Sequence, residues 1–236
     1  MIQVENLTHR KGQTTVIDGI SLKIDDGEWV VIAGANGSGK TTLIKHFNGL
    51  LSPDRGVVRI NDTPVEADLL NARTTVGMVF QQPRDQLVAG TVAADVAFGP
   101  ENLGLERNAI DTRVEQALET VGMSKKAQQR VHTLSGGEVA RVALAGVLAM
   151  RPDHLICDEP FTGLDTTSRQ AVYERLCEIS ASGTSIIIVT HDLREVIASA
   201  DRLMILSDGQ VGFNGAPTEL PADDEQFNIS LPTTPD

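Results

Sequence analysis

The stretch Gly34-Ala35-Asn36-Gly37-Ser38-Gly39-Lys40-Thr41 fits G-x-x-x-x-G-K-[ST], and it stands between the apolar run "WVVIA" and a helical pattern. That setting is what makes the pattern specific. A strand feeding a glycine-rich loop and then a helix lets the backbone curl until several N–H groups face one anion. They do so at the helix end that carries partial positive charge. A loop of this kind needs a sheet behind it, which commits the chain to an α/β plan. By the same chemistry Gly34, Asn36, Gly37, Ser38 and Gly39 form a phosphate cradle and Lys40 reaches the β- and γ-phosphates. The Thr41 hydroxyl is placed for Mg²⁺ and Thr42 for the α-phosphate.

The rest of the sequence agrees with that plan. Near-continuous apolar runs of strand length recur as "WVVIAG", "TVGMVF", "HLICDE", "SIIIVTH" and "DRLMIL". Runs apolar on both faces suit strands inside a mostly parallel sheet. Helical patterns over 41–50, 138–150 and 168–180 lie between several of them, so strand and helix alternate. The opening, about 2–24, reads as a small antiparallel sheet. A mostly helical insert is expected at about 86–133, where 111–121 has helical periodicity. One domain is expected over 1–220, followed by an acidic, proline-bearing tail over 221–236.

Three strand ends carry chemistry. "HLICDEP" ends in Asp158 and Glu159; one carboxylate can hold Mg²⁺ and the other can polarise a water. Because neighbours on a strand point to opposite sides, the two must divide those jobs. "VTHD" sets His191 at the same sheet edge, where a neutral imidazole can bridge a γ-phosphate and water. Gln81, closing "VGMVFQ", is placed to sense Mg²⁺ and water, with Gln82 beside it. A second helix start, "LSGGE" at 134–138, has the Ser-x-x-Glu spacing of a capping box. Its free N–H groups and two glycines would also receive a phosphate.

Composition narrows the partners. The formal charge of −12 argues against nonspecific binding to nucleic acid. Arg outnumbers Lys and Asp outnumbers Glu, a balance that suits concentrated salt. Cys157 and Cys177 show no metal-ligand spacing and read as reduced core residues. No apolar run approaches the roughly 18–20 residues of a spanning helix, and "MIQVENLTHR" lacks the regions of a secretion signal. The expectation is a cytosolic chain that reaches a membrane only through partners.

In order, the phosphate loop, the Gln loop after "VGMVF", "LSGGE", "LICDEP", "GLD" at 163–165 and "VTHD" resemble the ATP-binding-cassette ATPases over about residues 2–215. The resemblance implies an α/β P-loop NTPase of that type, with an N-terminal antiparallel subdomain and a helical insert. It implies ATP and Mg²⁺ as cofactors, Glu159, His191 and Gln81 as catalytic residues, and Thr41, Gln81 and Asp158 around the metal. It also implies a second ATPase subunit, identical or related. Ser135, Gly136 and Gly137 of one chain would bind the γ-phosphate held by the other, with Asp165 coupling the two sites.

More narrowly, "FQQPRDQLVAGTVAADVAFGPENLGL" and "ALAGVLAMRPDHLICDEP" are similar to the ATPase subunits of energy-coupling-factor importers. Those importers take up vitamins or transition-metal ions such as cobalt and nickel. They join two ATPase subunits to a transmembrane coupling protein and a substrate-binding membrane protein, which puts the ATPase peripherally on the cytoplasmic face. Alternatives are the ATPase of another transporter class or a non-transport cassette ATPase. A GTPase would want an Asn-Lys-x-Asp reader, which is missing. Two departures from the family pattern stand out: Glu138 replaces its usual Gln, and near Lys11 its aromatic adenine platform gives way to "THRKGQ", where His9 is the only ring.

Overall fold

The structure, a computed structural model, describes residues 1–221. In chain order it contains β1 (Ile2–Lys11), β2 (Thr14–Ile24), β3 (Trp29–Ala33), α1 (Lys40–Phe47), β4 (Arg55–Ile60), β5 (Thr63–Pro64), α2 (Leu69–Thr75), β6 (Val76–Val79), α3 (Val92–Asn102), α4 (Arg107–Thr120), α5 (Gly136–Leu148), β7 (His154–Asp158), α6 (Thr166–Ala181), β8 (Ser185–Thr190), β9 (Arg202–Ser207) and β10 (Gln210–Gly215). The larger sheet has the order β10-β9-β3-β8-β7-β6. It is parallel except for β10, which runs antiparallel to β9.

Every residue of β3, β6, β7 and β8 is buried, the consequence of a sheet covered on both faces. Alternation along the strands separates two cores. Val31, Ala33, Leu155, Ile186 and Ile188 pack toward α5 and α6. Val30, Ile32, Ile156, Ile187 and Val189 pack toward α1 and the smaller sheet. The sites expected at strand ends therefore share one rim, because parallel strands all finish on the same side.

The reading from sequence confines the smaller sheet to about 2–24. In the structure β4 and β5 extend it, in the order β2-β1-β4-β5. The range read as a helical insert holds α3 and α4. α3 and α4 both pack on α5, so the helical layer runs past residue 133 into the helix that "LSGGE" opens. The tail expected from 221 onward lies, from residue 222, outside the described residues. Both cysteines are free thiols, and burial together with the neighbouring Asp158 pushes Cys157 up to about 12, leaving it inert at neutral pH.

His154, at the start of β7, is fully buried with Nε2 3.1 Å from Asp26 Oδ1. Burial first, then the Met1 ammonium, pushes its pKa down to about 4, against the pull of Asp26. A ring that titrates near 6.5 in the unfolded chain then takes up protons there before it does so in the fold. Stability is complete above about pH 6.5 and is lost as pH falls toward 4, by about 3 kcal/mol at most. Urea midpoints of the wild type and His154→Gln, compared at pH 7 and 4.5, should show the steeper acid loss in the wild type. Equal losses would reject this assignment.

Candidate nucleotide site

The loop between β3 and α1 is built around missing side chains. A Cβ on Gly34 would lie 2.3 Å from the Leu206 carbonyl oxygen, and one on Gly39 2.8 Å from that of Val16. Both have positive φ, 145° and 103°, so glycine is required twice over. Gly39 also occupies the N-cap of α1 and offers no side-chain cap, which leaves the first amides of the helix for an anion. Asn36 and Gly37 crown the loop in solvent, whereas Ser38 and Lys40 are buried. The Ser38 hydroxyl has no protein partner. Lys40 Nζ donates to the carbonyls of Gly34 at 2.7 Å and Ala35 at 3.0 Å. Burial lowers its pKa, opposed by Glu159 and Asp158.

Across the rim, Thr41 Oγ1 donates to Asp158 Oδ2 at 2.8 Å. The other oxygen, Oδ1, is buried without a partner, and burial raises the pKa of this carboxyl. An unpartnered carboxylate oxygen beside a hydroxyl suits a hard divalent cation that keeps most of its ligands from water and phosphate. Among the described residues no group of three or more His, Cys, Asp and Glu side chains forms a protein-only metal cage. The donor set therefore fits Mg²⁺ brought with a nucleotide. Gln81 lines the same cavity, of about 460 Å³, with Thr41 and Asp158, and so does Gln82.

Glu159 faces a different cavity, of about 290 Å³, which it shares with His191. The two carboxylates thus line different cavities, and strand alternation is not the cause. β7 ends at Asp158, and Glu159 adopts a left-handed φ of 51°. Its amide still continues the ladder, donating to Val189 O at 2.8 Å. A non-glycine residue in this region carries about 1 kcal/mol or more of strain. The turn aims the Glu159 side chain away from Asp158, where His191 Nδ1 donates to Oε1 at 2.7 Å. The Thr190 and Thr162 hydroxyls stand 3.3 and 3.4 Å from Oε2. With Nδ1 donating, Nε2 of the neutral ring is the free acceptor.

Neither of these cavities is lined by Ser135, Gly136 or Gly137. These residues gather instead with Asp165. The capping box is complete: the Ser135 amide donates to Glu138 Oε2 at 2.9 Å, and Ser135 Oγ accepts from the Glu138 amide at 3.4 Å. Gly136 is exposed, with open space where a Cβ would stand. Gly137 has a packing role that the sequence reading lacks. It is buried, and a Cβ there would meet Ser168 Oγ at 2.4 Å, so its first role is close approach of α5 and α6. Asp165 caps α6 through the same Ser168, accepting from its amide at 2.8 Å. That bond holds the Asp165 carboxyl below its usual pKa. Ser168 thus links the signature to the Asp165 cap.

A model of the ABC transporter family matches residues 17–162. The chain belongs to the ABC transporter family. It is an ATPase and the ATP-binding subunit of an ABC transporter, most like those of the energy-coupling-factor type. The energy-coupling factor transporter ATP-binding protein EcfA of Methanocaldococcus jannaschii is 44% identical over 93% of this chain and 81% of that protein. A Halobacterium salinarum protein described as an ABC transporter ATP-binding protein is 57% identical over 93% of this chain and 95% of its own length. Among solved structures, cbiO1 of Clostridium perfringens, part of the ABC transporter complex cbiONQ, superposes with a TM-score of 0.86 at 36% identity, covering 95% and 92% of the two chains. The ATP-binding cassette MJ0796, solved as a dimer in a post-hydrolysis state bound to ADP and Pi, gives 0.81 at 26% identity, covering 92% and 99%.

The structure of this ABC ATPase also holds features that its sequence did not announce. Gln86 donates to Met78 O at 3.0 Å and accepts from Phe80 N at 3.2 Å, closing the end of β6 as a neighbouring strand would. Asp95 accepts from the Val88 and Ala89 amides and fixes the loop that follows. The "DQL" and "ADVAFG" patterns hold both residues, but only the folded loop gives them partners. His9, the only ring near Lys11, is engaged within the chain. Its ring packs edge-on against His46 at 4.8 Å, with its Nδ1 3.2 Å from His46 Nε2.

Proposed function

We propose that this ATPase drives an energy-coupling-factor importer for a vitamin or a transition-metal ion. The observation that carries the reading is an apolar groove of about 530 Å³ between β6, α2 and α3, lined by Leu70, Met78, Phe80, Val88, Phe98 and Met150 among others. Leu70, Val88 and Phe98 are 66%, 63% and 51% exposed, an unusual cost in water unless something covers them. The groove has the character of a seat for a partner's amphipathic helix. Phe80 and Leu50 line both this groove and the cavity of Thr41, Gln81 and Asp158, so the two share a wall through which an occupant of the groove can bear on the nucleotide site. The occupant in this reading is the transmembrane coupling protein, joined by a substrate-binding membrane protein. That places residues 1–220, as one ATPase domain, on the cytoplasmic face. No helix among the described residues is long and apolar enough to cross a membrane.

The proposed cycle uses the residues in turn. The loop amides of 34–39, Ser38, Lys40 and Thr42 hold the phosphates. Thr41 and Asp158, with Gln81 beside them, would hold Mg²⁺, which neutralises charge on the β- and γ-phosphate oxygens when bound. A second ATPase chain brings its Ser135, Gly136 and Gly137 onto the γ-phosphate, and Asp165 couples the two sites. Glu159 takes a proton from the attacking water while His191 orients that water by accepting its second hydrogen at Nε2. Catalysis here is mainly positioning and charge neutralisation.

Capture of the tagged chain from solubilised membranes should bring down a coupling protein and a small substrate-binding membrane protein. The double change Val88→Asp, Phe98→Asp should lose both while keeping the chain's own ATPase activity. Ribosomal or DNA-repair partners instead, or membrane partners that survive the double change, would sink the reading.

A further inference from the structure

The one acid in "LSGGE" is Glu138, and its capping bond to the Ser135 amide keeps its carboxylate at the very helix end that an anion must approach. Left alone, that charge would oppose a phosphate and offset the helix dipole there. The structure supplies a counter-charge from twelve residues upstream. Lys126 Nζ pairs with Glu138 Oε1 in a part-buried contact, while Oε2 stays on the cap. Lys126 ends the 3-10 turn Ser124–Lys126, and the backbone around it is fastened at several points. Its amide donates to Met123 O at 2.9 Å, Ala127 O accepts from Ala93 N at 2.8 Å, and Gln129 O accepts from Val92 N at 3.0 Å. The backbone that carries the ammonium is thus held by the helical layer, while the Lys126 side chain itself is 42% exposed. With this pair formed, Glu138 is more readily ionised than usual, chiefly through Lys126 and then through the Ser135 amide. The capping box occupies the amides of Ser135 and Glu138, which leaves those of Gly136 and Gly137 at the helix start.

We propose that Lys126 is a positioning residue for the signature: by pairing with Glu138 it cancels the charge that this acid brings to the helix start, so that the Gly136 and Gly137 amides can meet a γ-phosphate unopposed. The inference rests on the cross-subunit reading of "LSGGE" given above. It explains how a chain with Glu in place of the family's Gln keeps a working signature: Lys126 and Glu138 together present the neutral surface that an amide would.

The test is a pair of backgrounds. ATPase rates at saturating ATP are measured over a wide range of protein concentration for the wild type, K126M, E138Q and K126M/E138Q. Melting temperature and nucleotide binding to the isolated chain are recorded alongside. Lys126→Met is expected to lower kcat about tenfold when residue 138 is Glu, from like-charge opposition, but less than about twofold when it is Gln. Binding to the isolated chain should not change, and Lys126→Arg should retain most of the rate. Equal losses in both backgrounds would make Lys126 a merely structural residue and overturn the proposal, as would full activity of K126M. If the wild-type rate per molecule does not depend on concentration, the cross-subunit reading fails first, and wild-type data alone reveal it.

Discussion

Glu159→Gln is expected to bind ATP about as well as the wild type and to hydrolyse it at least a hundredfold more slowly, the range that loss of a general base commands. The amide has the shape of the carboxylate and can still accept from His191 Nδ1, so the left-handed turn and its neighbours need not move. What it cannot do is take a proton from water. A chain that binds but does not cleave should accumulate as an ATP-bound pair, visible as a rise in mass by light scattering when ATP is added and slow to decay afterwards. Asp158 is not a substitute base: it faces the other cavity and is tied to Thr41. Turnover equal to wild type in this variant would remove Glu159 from the mechanism.

Ser135→Arg should abolish steady-state hydrolysis, by roughly a hundredfold, while leaving nucleotide binding to the isolated chain within about twofold. The residue is exposed and lines neither cavity of its own chain's nucleotide site, so bulk placed there has little within the chain to obstruct. It would instead fill the space that a partner's γ-phosphate must enter. Loss of the cap costs about 1 kcal/mol of stability, and Ser135→Ala measures that part separately. The alanine variant should keep far more activity than the arginine one. If arginine weakens binding to the isolated chain as much as it slows hydrolysis, the signature acts within one subunit and the paired arrangement is wrong.

The parts of the site legible in the sequence were those in which neighbours along the chain make the chemistry. The phosphate loop is eight contiguous residues joining a strand to a helix, and its glycines announce a backbone that only they can adopt. Asp158, Glu159, His191 and Gln81 follow apolar runs, and parallel strands bring their ends to one rim without further information. Where expectation and structure part, the cause is contact across the fold. Gly137 reads as room for phosphate, but its missing side chain is also what admits Ser168 of α6. His9 offers a ring on paper, yet His46 holds it. Asp158 and Glu159 face different cavities by a turn that period two along a strand does not encode, a left-handed residue at the strand's end.

The sequence by itself determined the fold class, the phosphate loop, the acids and histidine at the rim and the capped second helix start, since each depends on residues within a few positions of one another. Only the tertiary structure decided that β4 and β5 join the first sheet, that Lys126 answers Glu138, and that Leu70, Val88 and Phe98 meet in one open groove. Those pairings join segments separated along the chain, and no local periodicity encodes which distant surfaces will meet once the two cores have closed.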